Sequence, residues 1–207
     1  GLCYTQLTDV EQEQNGLYTY DRRPKFDPAR IHAITSRQAA YEVDPPLERR
    51  IQSEKWRVLL GAQPDKGAAK PWRYTTQTPA EGWTAADYDD SAWEEGMGSF
   101  GAKSGDEDRI GTAWTSDDIW LRQEFDYDGK LFDKAMLVIH YDNDTQVTVN
   151  GKEIWQRTQW NDRYEGSEIT DALKKALTKG RNVIAIHCHQ DKGGQFIDAG
   201  ILLSDDK

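Results

Sequence analysis

The sequence predicts a mainly β protein, an antiparallel β-sandwich of jelly-roll type preceded by a short helical segment. Three observations predict it. From Trp56 onward, short runs of alternating apolar and polar residues are separated by turn residues. Asn150-Gly151 stands between two such runs and suits the positive φ angles of a type I′ hairpin turn. One brief helical stretch interrupts the strands, and many short strands with a single crossing helix are most economically arranged as a jelly roll.

The elements follow in order. Asp27 is placed as an N-cap, Pro28 suits the first helical position, and Ile31, Ile34 and Gln38 follow at helical spacing, which predicts a helix over about 28–40. Pro45-Pro46 stops it, the charged stretch from Leu47 to Lys55 has linker composition, and a boundary is expected near residue 50. Beyond it, Ile119, Leu121, Gln123 and Phe125 alternate with Trp120, Arg122, Glu124 and Asp126. Leu137, Ile139 and Tyr141 alternate in the same way with Val138, His140 and Asp142. Val147-Thr148-Val149 and Glu153-Ile154-Trp155 flank the Asn-Gly turn. Thr170 is placed to cap a helix from Asp171 to Leu177, with Leu173, Ala176 and Leu177 inward and Gly180 beyond its end. Strands from Val183 to His189 and from Phe196 to Leu203 complete the pattern; the first sets Ile184, Ile186 and Cys188 against Val183, Ala185, His187 and His189.

Composition narrows the function classes. The 207 residues suffice for one good-sized domain with an appendage. Eight Trp, nine Tyr and five Phe supply core material that a disordered chain lacks. A net charge of -10 without a basic cluster argues against a nucleic-acid partner. No apolar run reaches the roughly 20 residues of a membrane span, and no signal peptide is visible. Cys3 and Cys188 read as two small buried hydrophobes rather than a disulfide framework, a zinc site or a nucleophile.

Two stretches resemble parts of one enzyme family. The run from Tyr4-Thr5-Gln6 through Asp9-Val10-Glu11 and Asn15-Gly16-Leu17 to Tyr20-Asp21-Arg22 resembles the closing strand and exit loop of the catalytic barrel in glycoside hydrolase family 2. The ordered series Asp89-Asp90-Ser91-Ala92-Trp93, Val149-Asn150-Gly151, Gly180 to Ala185 and Gly193 to Asp198 resembles the galactose-binding-like jelly roll that accompanies many members of that family. The resemblance implies residues 1–50 as barrel tail, helix and linker, and residues 51–207 as the jelly-roll domain. Family members hydrolyse glycosides by a retaining route with two carboxylates. Both lie on barrel strands upstream of the closing one, so the resemblance implies a non-catalytic accessory piece of a β-galactosidase-like or β-glucuronidase-like parent. Its partners would be carbohydrate and the upstream catalytic domain, its setting secreted or periplasmic in bacteria. Rival readings are a purely structural interdomain module without a ligand, and a stand-alone enzyme that would turn over an aryl glycoside.

Several motifs are weighed against blander readings. Glu11 and Glu13 lie two apart on an extended run and lack the opposed geometry of a glycosidase pair. The Gly96-Met97-Gly98-Ser99-Phe100-Gly101 match to a dinucleotide fingerprint is followed by another loop, so it reads as a tight turn. His140, His187 and His189 could approach one another across strands, yet no short-spaced ligand signature accompanies them. Asp142-Asn143-Asp144 begins like a calcium loop but continues without its acid and glycine, and Asn143-Asp144-Thr145 is a formal glycosylation sequon. No cofactor is required; calcium is conceivable at Asp87, Asp89 and Asp90. Trp56, Trp72, Trp83, Trp93 and Trp120 are expected mostly in the core. Trp114 and Trp160 occupy polar loops and are the candidate sugar platforms, since an exposed indole offers an apolar face to a sugar ring. Asp144, Tyr164, His189 and Asp191 are the candidate polar rim. A sugar-binding module predicts these indoles in an open groove; a structural module predicts them buried.

Overall fold

The alternating runs fold as strands in the computed structural model, which describes residues 7–10, 14, 16–37, 55–62, 71–102 and 110–205. The elements run α1 Pro28–Thr35, β1 Trp56–Leu60, β2 Trp72–Thr75, β3 Glu94–Gly96, β4 Phe100–Gly101, β5 Thr112–Ala113 and β6 Asp118–Tyr127. They continue with β7 Lys134–Asp142, β8 Asp144–Val149, β9 Lys152–Arg157, β10 Glu165–Glu168, α2 Thr170–Ala176, β11 Gly180–His189 and β12 Phe196–Ser204. The chain divides into two units, Gly1–Pro46 and Leu47–Lys207.

In the second unit the described strands form two six-stranded sheets. One has the order β10-β7-β12-β4-β5, with β1 also on β12; the other has β3-β2-β6-β11-β8-β9. Pairing is antiparallel except between β4 and β5. Strand alternation decides the core. Leu137, Ile139 and Tyr141 of β7 and Ile197, Ala199, Ile201 and Leu203 of β12 meet Ile119, Leu121, Ile184, Ile186 and Cys188 from the other sheet. Each fully buried Leu or Ile contributes about 1.5–3 kcal/mol by leaving water. Register keeps the set in line: Ile186 stands between Leu121 of β6 and Val147 of β8.

The Asn-Gly turn forms as its sequence predicts, with φ of 49° at Asn150 and 75° at Gly151. Its side chain also locks the hairpin to the next strand. Asn150 Oδ1 accepts from the Val183 N–H at 2.9 Å, and Nδ2 donates to the fully buried Asn182 at 2.8 Å. At α2 the sequence expectation needs correcting. Thr170 is the first helical residue, Ile169 holds the cap position, and the Thr170 hydroxyl accepts from the Ala135 N–H instead, tying the helix to β7. Leu173 and Ala176 are buried as predicted, with Leu177 packed against them.

Glycines at 96, 98 and 101 serve close approach rather than a left-handed turn. A Cβ on Gly101 would lie 2.5 Å from the Gln195 carbonyl, and one on Gly96 would lie 2.7 Å from Thr112 Oγ1. At Gly200 on β12 the added atom would be 2.4 Å from the Ala62 N and 2.7 Å from the Leu60 carbonyl. Gly200→Val is therefore expected to destabilise by about 1–3 kcal/mol, the usual cost of overpacking, read as a lower denaturant midpoint at unchanged slope.

In the first unit, Asp27 caps α1 through the Ala29 N–H at 2.9 Å, and Pro28 opens the helix as expected. The helix ends at Thr35, and Ser36 closes it; Gln38 to Ala40, the Pro45-Pro46 stop and the linker as far as Glu54 lie outside the described residues. None of its side chains is buried. The described part of residues 7–22 makes isolated bridges, Thr8 with Tyr18 and Tyr18 with Pro24, rather than a strand. Asp9 fastens this loop by accepting from the Gly16 N–H at 2.9 Å and from Lys25 Nζ at 2.6 Å. Cys3, Tyr4 to Gln6, Glu11 and Glu13 lie outside the described residues.

Candidate functional site

Four segments knit together one end of the sandwich: residues 114–118, 142–144, 158–162 and 190–196. The Gln195 side chain donates to the Ser116 carbonyl at 2.6 Å, and the Gln190 N–H donates to the Asp117 carbonyl at 2.6 Å. Asn143 donates its N–H to the His189 carbonyl at 3.0 Å and accepts the Asp191 N–H at 2.9 Å. These bonds between distant segments hold the loops without regular structure.

The two candidate indoles have opposite fates. Trp114 is 2% exposed, its Nε1–H donating to Ser116 Oγ at 3.0 Å and to the Asp118 carbonyl at 3.2 Å. It is a strut beneath this end and is unavailable as a platform. Trp160 is 62% exposed. Its loop is fixed from both sides: the Gln159 N–H donates to Asp144 Oδ1 at 3.0 Å, and Asn161, buried, bonds β7 through its amide. An apolar ring is thus presented to solvent on a rigid mount.

Trp160 borders a cavity of about 200 Å³ lined also by Asn161, Asp142, His140, Gln195 and Phe196. Burial pushes the Asp142 carboxyl above the ordinary range. His140 is stacked on Phe196 with ring centroids 4.2 Å apart. Tyr164 is no rim residue. Its hydroxyl donates to Asp198 Oδ2 at 2.6 Å, and its ring meets His140 edge-on at 5.6 Å, so it supports the cavity from behind.

A second cavity, about 280 Å³, is lined by Asp144, Gln146, Gln156, Arg157, His187 and His189. Asp118 Oδ1 stands 2.8 Å from His187 Nε2 and 2.9 Å from His189 Nδ1. Burial raises the Asp118 carboxyl, but the two imidazole bonds outweigh this and leave it below the usual carboxylate value. His187 also stacks on Trp120, 4.8 Å between centroids and 10° from parallel. His140 belongs to the other sheet, so the three histidines do not come together. Among the described residues no group of three or more His, Cys, Asp or Glu is arranged to hold a metal ion. Asp191 is exposed at the same end and contributes its backbone N–H.

In the acidic turn at residues 87–90, where calcium is conceivable, the three carboxylates have different surroundings. Asp87 is exposed, and Asp89 accepts the Ser91 N–H at 3.0 Å. Asp90 pairs at 2.7 Å with the guanidinium of Arg122, a side chain 1% exposed. Arg122 also donates to the carbonyls of Trp83, of Ala85 at 3.1 Å and of Tyr88 at 3.5 Å. Of the three carboxylates, only Asp90 is thus engaged by Arg122. Trp72 and Trp120 are buried as expected; Trp83 and Trp93 are only partly so, pairing at 6.4 Å over this turn. Arg122 was visible in the sequence only as an outward polar residue of β6.

No protein-family model matches the sequence, and no curated protein matches it. Similarity appears in three dimensions, to a part of longer glycoside hydrolase chains. A glycosyl hydrolase family 2 member from Bacteroides cellulosilyticus superposes with a TM-score of 0.50 at 16% identity, covering 66% of this chain and 20% of that one. The β-glucuronidase of Bacteroides uniformis gives 0.50 at 11% identity, covering 73% and 18%. The chain therefore spans about a fifth of the length of these neighbours, and at such identities the likeness establishes the fold.

Proposed function

We propose that this chain is a non-catalytic accessory piece of a family 2-like glycoside hydrolase and binds carbohydrate at the Trp160 end of its sandwich. The observation that carries this reading is the exposed Trp160 on a loop pinned at Gln159 and Asn161, beside a cavity with polar walls. A ring face with nearby hydrogen-bonding groups suits a pyranose. The structural neighbours are glycoside hydrolases, which supports a parent that cleaves glycosidic bonds. In the first unit Leu7, Val10, Tyr20, Phe26 and Ile34 are each at least half exposed. That pattern fits a barrel tail whose apolar residues pack on the catalytic domain upstream. No described helix is long and apolar enough to cross a membrane, and a bacterial secreted or periplasmic setting suits glycan degradation. This reading calls for no cofactor; in the acidic turn Asp90 is paired with Arg122. The buried Trp114 favours the rival reading, a structural interdomain module without a ligand.

The test is a glycan array followed by calorimetry on the chain and on Trp160→Ala. Binding is expected for the parent sequence, with at least tenfold weaker affinity and an unchanged melting temperature for the variant. A tenfold loss corresponds to about 1.4 kcal/mol, within reach of a stacked aromatic ring. A blank array and flat calorimetry would establish the structural module. Turnover of an aryl glycoside by the chain would overturn the non-catalytic assignment.

A further inference from the structure

We infer that the Asp118–His187–His189 cluster builds a second sugar subsite, so that the ligand is an oligosaccharide whose unit at this subsite is neutral. The inference rests on carbohydrate binding at Trp160. Its geometry comes from strand register. Asp118 of β6, His189 of β11 and Asp144 of β8 are partners in one row across three adjacent strands. Two residues along, Trp120, His187 and Gln146 form the next row, and Gln156 of β9 stands opposite Gln146. The intervening Ile119, Cys188 and Thr145 are buried, so these rows lie on the outer face of the sheet.

The chemistry of the cluster decides what fits it. An ionised carboxylate oxygen only accepts, so both ring nitrogens facing Asp118 Oδ1 carry hydrogen. In the neutral rings the other nitrogens, Nδ1 of His187 and Nε2 of His189, are then acceptors, held in direction by Asp118 as an orienting carboxylate holds an imidazole elsewhere. Gln146 gives one amide N–H to Glu153 at 2.7 Å and keeps its carbonyl oxygen as an acceptor and its second N–H as a donor. Asp144 adds a carboxylate whose Oδ1 already holds Gln159. Acceptors predominate, and Arg157, the cation lining this cavity, lies over the Trp155 ring at 5.7 Å. Such a surface, with the carboxylates of Asp118 and Asp144 against the single guanidinium of Arg157, receives hydroxyl donors such as a vicinal diol and disfavours a carboxylate. A uronate is thereby disfavoured here.

One chain segment, residues 157–161, runs between the two cavities. Arg157 and Thr158 line the imidazole cavity, Trp160 and Asn161 line the other, and Gln159 between them is tied to Asp144. At about 280 and 200 Å³ each is smaller than the roughly 300 Å³ at which small-molecule pockets begin. A chain of sugars crossing the ridge at residues 158–160 would use both.

The experiment is calorimetry with methyl β-galactoside, a neutral β-galactotriose and the same trisaccharide oxidised to a uronate at one end, after the glycan array. The neutral trisaccharide is expected to bind at least tenfold more tightly than the methyl glycoside. His189→Gln, and independently Asp118→Asn, should cut that advantage to under threefold, while Trp160→Ala weakens both sugars. Nitrogen-15 spectra of the imidazoles supply a readout independent of affinity: the resonances of His187 Nδ1 and His189 Nε2 should shift on adding the trisaccharide. Equal binding of the methyl glycoside and trisaccharide, an advantage untouched by both variants, or tighter binding of the uronate would overturn this subsite and leave the Trp160 reading standing. A blank array would sink both.

Discussion

Replacing Arg122 by methionine is expected to lower the melting temperature of the sandwich by about 10 °C. Methionine keeps much of the aliphatic packing, so the loss isolates the guanidinium. That group is 1% exposed and serves Asp90 and the carbonyls of Trp83, Ala85 and Tyr88 together. It also lies over the Tyr88 ring at 5.3 Å. Removing one partner of a buried pair costs about 3–5 kcal/mol because the other partners remain desolvated, and each kcal/mol shifts the midpoint of a domain this size by about 2–4 °C. Some of the oxygens can turn to water, since the Asp90 side chain is 23% exposed, which places the expected result toward the lower end. Arg122→Lys should recover little: an ammonium is a compact point charge and cannot span four oxygens as the planar fork does. Calorimetric scans of both variants check this. A shift under 3 °C would mean that the 83–90 turn is held by its aromatic contacts and not by Arg122.

Arg122 also illustrates what a single sequence conceals. Long alternating runs were legible because their period states which side chains go inward, and β6, β7, β11 and β12 follow it. The hairpin was legible because Asn-Gly solves a local steric problem. Strands such as β4 and β5, two residues each, are too short to carry a period. The outward face of β6 reads as solvent-facing by the same alternation, and nothing local to Arg122 tells that residues 83–90 cover it. Trp114 and Trp160 make the point for the site. Both stand among polar neighbours, yet one is 2% exposed and the other 62%. The difference comes from partners far along the chain: Trp114 donates its backbone N–H to the Gly101 carbonyl, whereas the Trp160 loop is held from below by β7. Asp144 and His189 were found from their loop and strand-end positions, and strand register brings them together. His187 and Asp118 complete the cluster, and the cross-strand pairing that aligns them is not written in either segment alone.

Asn161→Ala is expected to cost about 2 kcal/mol of stability and, separately, to weaken sugar binding three- to tenfold with Trp160 still in place. β10 pairs with β7 only from Met136 to Ile139. Beyond that, Asn161 takes over the free edge: its Oδ1 accepts the Tyr141 N–H at 2.8 Å, its Nδ2 donates to the Ile139 carbonyl at 3.2 Å, and its own N–H donates to the Tyr141 carbonyl at 3.1 Å. Alanine keeps the last bond and orphans two backbone groups at a site where Asn161 is 8% exposed. Each unsatisfied buried group costs about 1–3 kcal/mol, less where water can enter. Asn161→Asp retains the acceptor for Tyr141 but sets a carboxylate oxygen against the Ile139 carbonyl, so it should destabilise at least as much as alanine. The effect on binding arises differently. An indole already held in its bound posture spares the ligand the ordering cost of about 0.5–1.5 kcal/mol per side chain, and a loosened loop restores that cost. Chemical denaturation and calorimetry on the same variants separate the two effects. If stability falls while affinity stays within a factor of two, the Asn161 mount serves the sandwich alone, and Trp160 would have to find its ligand by adapting to it.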